Sequence, residues 1–160
     1  MTATEAETSQ AIAARYAETI ETLEVLADIW DDDADALDDA IRDQDDPKRE
    51  NLRSVLEDIG GGHVELADAI AYVEDHGGVF GAYVEDALDV EITGQFDKSA
   101  GRWDVSSVAL LLGFGGPTVR YYADGSRIEV AWWGDNGSTH VNAPSFASYV
   151  DDLADLFLDR

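Results

Sequence analysis

The chain reads as an α+β protein: an N-terminal helical region of three to five helices, a three- to five-stranded antiparallel β-meander, and a C-terminal helix covering the sheet. Three observations predict this class. Apolar residues recur at helical spacing from Ile12 to about Leu88, the pattern changes to alternation between Val90 and about Val141, and helical spacing returns from Phe146 to Phe157. The organising stretch is Val105–Gly134. There Val108, Leu110, Leu112 and Phe114, and then Ile128, Val130 and Trp132, alternate with residues aimed at the opposite side, as half-buried strands do. Gly115-Gly116-Pro117 and Asp124-Gly125 interrupt it at turn positions.

In chain order, Ile12, Tyr16, Ile20, Leu23, Ala27 and Trp30 form one apolar stripe on an acidic helix. Asp31-Asp32-Asp33 ends or re-caps it, and Asp32 or Asp33 is placed to accept backbone N–H bonds at the start of a second helix bearing Leu37, Ala40 and Ile41. Asp46-Pro47 closes that segment and opens a third helix, with Leu52, Val55, Leu56 and Ile59 inward. The triplet Gly60-Gly61-Gly62 suggests a boundary between an acidic helical region, 1–60, and an α+β domain, 61–160, unless the two form one continuous domain. A fourth helix is expected over His63–Asp75, with Leu66, Ala69, Ile70 and Val73 on one face and Gly77-Gly78 at its end. A short helix over Val79–Leu88 follows. Val90, Ile92 and Phe96 predict a first strand, and residues 97–104 a polar loop. Asn136-Gly137 is a tight-turn signal before a short edge strand at Thr139–Val141. Ala143-Pro144-Ser145 starts the last helix, whose stripe runs through Phe146, Tyr149, Val150, Leu153, Leu156 and Phe157.

The formal charge is −25 over 160 residues, with no cysteine, so disulfide and thiolate chemistry are excluded. The N-terminus is polar and acidic rather than a basic-then-apolar leader, and no apolar run approaches the roughly 18–20 residues of a membrane span, which together predict a cytoplasmic protein away from the membrane. Residues 1–90 hold 25 Asp/Glu against 5 Lys/Arg, whereas residues 91–160 hold 10 against 5. One reading is adaptation to molar salt, where screening falls to about 3 Å, as in the Asp-rich composition typical of haloarchaea. The other is imitation of nucleic-acid phosphates by the acidic half. Direct nucleic-acid binding is disfavoured, because counterion release needs clustered basic residues and the ten present are scattered.

Chemical motifs are weak. Asp31, Asp33 and Asp35 imitate the opening of a calcium loop, but Ala36 and Arg42 stand where its glycine and glutamate belong. His63, His76 and His140 form no short-spaced ligand set. Gly113–Pro117 lacks the Lys-Ser/Thr of a phosphate loop and leads into a strand. No GxSxG accompanies the Ser, His and Asp residues. No catalytic, cofactor-binding or metal-ligating residue is therefore assigned, and no cofactor is expected. Arg102, Arg120 and Arg127 lie near the sheet and are placed to pair with local acids. Tyr121-Tyr122 and Trp132-Trp133, read as strand residues, send one ring of each pair to either face. The candidate partner-binding residues are then Tyr122, Trp133 and Arg120 on the sheet and Asp31, Asp32, Asp33 and Asp35 at the helix junction, with Gly115, Gly116, Pro117, Asp124 and Gly125 as structural turns.

Leu88-Asp89-Val90-Glu91-Ile92, Val108–Leu112, Gly115-Gly116-Pro117, Arg127–Val130 and Trp132-Trp133-Gly134 together resemble an uncharacterised family of small proteins carried by phages, plasmids and integrative elements. The resemblance covers about a third of the chain, residues 85–135. It implies a helical part before a β-region and a mobile-element accessory role directed against host defence, and transfers no catalytic residue. The leading expectation is a non-enzymatic interaction module that inhibits a host nucleic-acid-handling system through a basic protein partner. A small metal-dependent hydrolase or nucleotide-binding enzyme is one alternative. A structural module that homo-oligomerises through the first helix is another.

Overall fold

The computed structural model describes residues 8–30, 33–43, 47–59, 62 and 65–158. Helices come first: α1 (Ser9–Trp30), α2 (Ala34–Asp43), α3 (Pro47–Asp58), α4 (Leu66–Asp75) and α5 (Val79–Glu85). The strands β1 (Asp89–Asp97), β2 (Arg102–Gly113), β3 (Thr118–Tyr122), β4 (Arg127–Trp132) and β5 (Asp135–His140) follow, then α6 (Pro144–Asp152) and α7 (Ala154–Phe157). The strands form one antiparallel meander in the order β1-β2-β3-β4-β5. This is the expected α+β architecture.

By compactness the chain divides into a helical unit, Thr19–Asp86, and a sheet unit, Met1–Glu18 with Ala87–Arg160. Of the expected boundary Gly60-Gly61-Gly62, Gly60 and Gly61 lie outside the described residues. That unit's core is Ile20, Leu23, Leu26, Leu37, Ile41, Leu52, Leu56, Ile59, Leu66, Ala69, Ile70, Val73, Val79 and Ala82. These positions follow the expected stripes on α2, α3 and α4, because a helix surrounded by water on one side buries only its apolar face. Val55 and Ala40 are half-buried, and on α1 the buried line passes through Leu26 rather than Ala27. Asp33 caps α2: its Oδ1 accepts from the N–H groups of Asp35 and Ala36 at 3.1 and 3.2 Å, the second and third residues of the helix.

In the sheet unit, directly opposed residues share a face. One face carries Leu110, Tyr121 and Ile128 in one row and Val119, Val130 and Gly137 in another. It is apolar and buried, and α6 lies over it with Phe146 and Val150 inward and the Phe146 ring 5.0 Å from that of Tyr121. The start of α1 also packs here: a Cβ on Gly137 would lie 2.4 Å from the Gln10 nitrogen, so only glycine fits. The other face carries Ala109, Tyr122, Arg127 and His140, then Leu111, Arg120, Glu129 and Ser138, then Thr118, Ala131 and Asn136.

Several expectations are corrected. Residues 97–104 are not all loop, since β2 begins at Arg102 and only 98–101 form the hairpin turn. Asn136-Gly137 is not a turn but lies within β5; the turn is Trp133-Gly134, with Trp132 paired to Asp135. Both turn residues have positive φ, 54° and 77°, as a two-residue type I′ connection requires. Trp133 is therefore no strand residue, and its ring projects from the turn rather than from a sheet face. The short helix before the sheet stops at Glu85, leaving Leu88 outside it and exposed. The last helix breaks at Leu153, so Leu156 and Phe157 are exposed while Leu153 and Ala154 are buried. His63 lies outside the described residues, and α4 starts at Leu66.

Candidate interaction surface

The polar sheet face is organised by ion pairs across strands. Arg120 on β3 donates from Nε to Glu91 Oε1 on β1 at 2.6 Å, reaching over β2, and from Nη2 to Glu91 Oε2 at 3.4 Å. That contact holds the Arg120 proton more tightly than usual, chiefly through the hydrogen bond to Glu91. Arg127 lies over the Tyr122 ring, 4.5 Å from its centroid, pairs with Glu129 at 3.4 Å and donates to the Asp124 carbonyl at 2.8 Å. Of the three arginines placed near the sheet, Arg120 and Arg127 thus pair with local acids. A groove of about 410 Å³ opens over this face, lined by Thr118, Arg120, Tyr122, Glu129, Asn136 and Ser138.

One border of the groove is Gln10, near the start of α1. Its side-chain amide donates to the Ser138 carbonyl at 2.8 Å and accepts from the Ser138 N–H at 3.1 Å. The amide imitates a paired peptide unit and closes that part of the β5 edge, which otherwise would present unpaired backbone groups. Beside it, the Ser9 N–H donates to Asp135 Oδ2 at 3.0 Å, while Thr8 Oγ1 accepts from the Ala11 N–H at 3.1 Å. One free N–H of the α1 terminus is thereby satisfied by Asp135, whose carboxyl is held below the usual range, first by the hydrogen bond from the Ser9 backbone.

The meander brings a different set together at one end. The start of β1, the β2–β3 loop and the β4–β5 turn all lie there, and they present Leu88, Phe114 and Trp133, which are 60%, 73% and 91% exposed. Gly115, at φ 94°, and Gly116 have open space around them and carry Phe114 outward on the Gly115-Gly116-Pro117 loop. The Asp124-Gly125 turn lies at the opposite end, with Gly125 at φ 77°.

Of the sequence-derived candidates, Tyr122 and Arg120 share the polar face and Trp133 sits at the apolar end. Tyr122 is half-buried beneath Arg127, and Tyr121 is fully buried on the other face, as the alternation anticipated. Asp33 and Asp35 are exposed in the helical unit, where Asp33 serves α2, and Asp31 and Asp32 lie outside the described residues. Among the described residues no group of three or more His, Asp or Glu side chains is placed to hold a metal ion, and no helix is long and apolar enough to cross a membrane. His76 directs Nδ1 at the Tyr72 carbonyl, 2.8 Å away, and stacks on the Tyr72 ring at the end of α4. Sequence reasoning missed Phe114 and Leu88, assigned to strand and helix interiors. The adjoining glycines and the Asp86 and Asp89 acids were the signals that the chain leaves regular structure there. Gln10 and Glu91 gave no local signal, because their partners lie 128 and 29 residues away. Comparison of the chain with family models, with curated proteins and with solved structures finds no match in any of the three.

Proposed function

We propose that this chain is a non-enzymatic protein-interaction module, an accessory protein of a mobile genetic element that inhibits a nucleic-acid-handling system of its host. Trp133 carries the interaction reading. An indole at 91% exposure occupies a left-handed turn position where a non-glycine residue costs roughly 1–2 kcal/mol and Asn is tolerated better. Folding gains nothing from a tryptophan there, whereas tryptophan is the residue most enriched among interface anchors. Acidity supplies the second part of the reading. The helical unit holds 21 Asp/Glu against 4 Lys/Arg, and the sheet unit 14 against 6. In molar salt these charges act only across about 3 Å, so they select at contact a partner whose surface is basic, while apolar tips supply affinity.

The test is capture from host lysate in molar KCl with immobilised wild-type chain and with Trp133→Asn. A basic nucleic-acid-handling protein retained by the wild type, released by the variant and inhibited in its own reaction by the free chain is the expected result. Failure to retain such a protein, or an uninhibited partner, refutes the reading; equal retention by both forms moves the contact away from Trp133.

A further inference from the structure

We infer that the Leu88–Phe114–Trp133 end of the sheet inserts into an apolar cleft rimmed by Lys and Arg on the partner protein, an inference that rests on the interaction reading above. The three residues come from three separate connections at one end of one sheet. With strands about 4.8 Å apart, Leu88 at β1 and Trp133 between β4 and β5 span roughly 15–20 Å. That is the scale of an anchor cluster at the centre of a standard interface, ringed by less important contacts. No ring contact within the described residues holds Phe114 or Trp133, and Gly115, Gly116 and Gly134 have no atom within reach of an added Cβ. The Phe114 and Trp133 rings therefore project freely, and Leu88 is 60% exposed.

Charge decides the occupant. Leu88 is followed by Asp89 and Trp133-Gly134 by Asp135, while Phe114 sits among Gly and Pro; no Lys or Arg lies in 87–89, 113–118 or 131–136. Lipid phosphates would meet these carboxylates with like charge, and so would a second copy of the chain. A cleft with a basic rim meets them with opposite charge and accepts the apolar tips in its floor.

The probe is a random peptide library displayed on phage, selected against the wild-type chain in molar KCl. Selected peptides should combine aromatic or aliphatic residues with Lys or Arg, and a synthetic representative should lose at least about tenfold in affinity against Trp133→Asn and against Phe114→Ser. The reversal Asp89→Lys should weaken it at low salt and less in molar KCl. Thermal melts of each variant check that the fold is retained. Peptides that bind Trp133→Asn as well as wild type, or that lack basic residues, overturn the inference. Trp133-dependent binding to phosphatidylcholine or phosphatidylglycerol vesicles replaces the cleft by a bilayer, and Trp133-dependent dimerisation seen by light scattering replaces it by a second copy. If lysate capture succeeds but survives Trp133→Asn, this surface is wrong and another part of the module binds. If basic peptides select on Trp133 while no host system is inhibited, the surface stands and the inhibitor reading falls.

Discussion

The two ends of the sheet solve the same problem with different residues. At the end that holds the β1–β2 and β3–β4 turns, the connections are polar and bonded within themselves. Asp97 Oδ1 accepts from the N–H groups of Ser99 and Ala100, and the Gly101 N–H donates to the Asp97 carbonyl. The Ser126 N–H donates to the Ala123 carbonyl, its hydroxyl to the Val141 carbonyl, and it sits 2.9 Å from the Tyr121 hydroxyl. The aromatic residues near this end, Phe96 and Trp103, oppose each other across β1 and β2 with their rings 5.7 Å apart. At the other end Leu88, Phe114 and Trp133 face water, and the tryptophan occupies a left-handed backbone position. Polar, internally bonded turns dominate the first end, although Ser126 there also has a left-handed φ of 44° and Phe96 and Trp103 remain partly exposed. The other end differs in degree, with larger and more exposed apolar tips, and the proposed partner contact would account for them.

Substitutions separate the two ends, and the largest effect belongs to the end built for stability. Tyr121 is fully buried against Phe146 and reaches Ser126 beside the β3–β4 turn. Tyr121→Ala should cost about 3–5 kcal/mol in denaturant unfolding, and Tyr121→Phe, which deletes only the hydroxyl, about 1 kcal/mol. A Tyr121→Ala protein as stable as wild type would mean that this end is not anchored through the core. Next is Gly137→Ala, whose added Cβ would lie 2.4 Å from the Gln10 nitrogen and 2.6 Å from the Ser9 carbonyl oxygen. Moving the start of α1 off β5 should cost roughly 1–3 kcal/mol, with faster amide exchange at Ser138, whose N–H bonds to Gln10.

The opposite sign is expected at the apolar end. Trp133→Asn places an Asn-Gly pair in a type I′ turn, the pair such turns favour, and should raise stability by about 0.5–1 kcal/mol while removing partner binding. Stability and binding would then move in opposite directions at one residue. A destabilised Trp133→Asn chain would show instead that the indole serves the fold, and the contrast between the two ends would collapse.

The fold class, the strand pattern through Val108–Trp132 and the helical stripes were legible because each is a local periodicity tied to burial on one side. What escaped was set by distant contacts. Asn136-Gly137 carries the stronger turn signal, yet Gly137 is a glycine because α1 approaches β5 there, some 127 residues earlier in the chain. With that pair committed to the strand, the turn falls to Trp133-Gly134, where the glycine supplies one positive φ and the tryptophan bears the other. Residues 102–104 read as loop because they are polar or exposed, whereas they form the exposed first part of a strand whose middle, Val108–Leu110, is buried. Among the candidate sites, Arg120 and Tyr122 were recoverable from alternation alone. Their partners Glu91 and Arg127, and the grouping of Leu88 and Phe114 with Trp133, required the strand order.

The smallest effect concerns the border between the polar face and the apolar end. Asp135 follows the Trp133-Gly134 turn and accepts the Ser9 N–H, which holds its carboxyl below the ordinary aspartate range. A depressed carboxyl contributes stability that is fully present above the unfolded-state value and is lost as pH falls through the folded-state value. The wild type should therefore loosen the start of α1 on acidification below about pH 4, near the unfolded aspartate value. Asp135→Asn keeps a hydrogen-bond acceptor but removes the titration, so its stability between neutral pH and pH 3 should fall less steeply than that of wild type. Trp133→Asn, with Asp135 intact, should retain the wild-type slope. Parallel acid profiles for wild type and Asp135→Asn would show that the contact carries no charge-dependent stability. A flattened profile in Trp133→Asn would show that the turn tryptophan is coupled to the α1 contact rather than held apart for a partner.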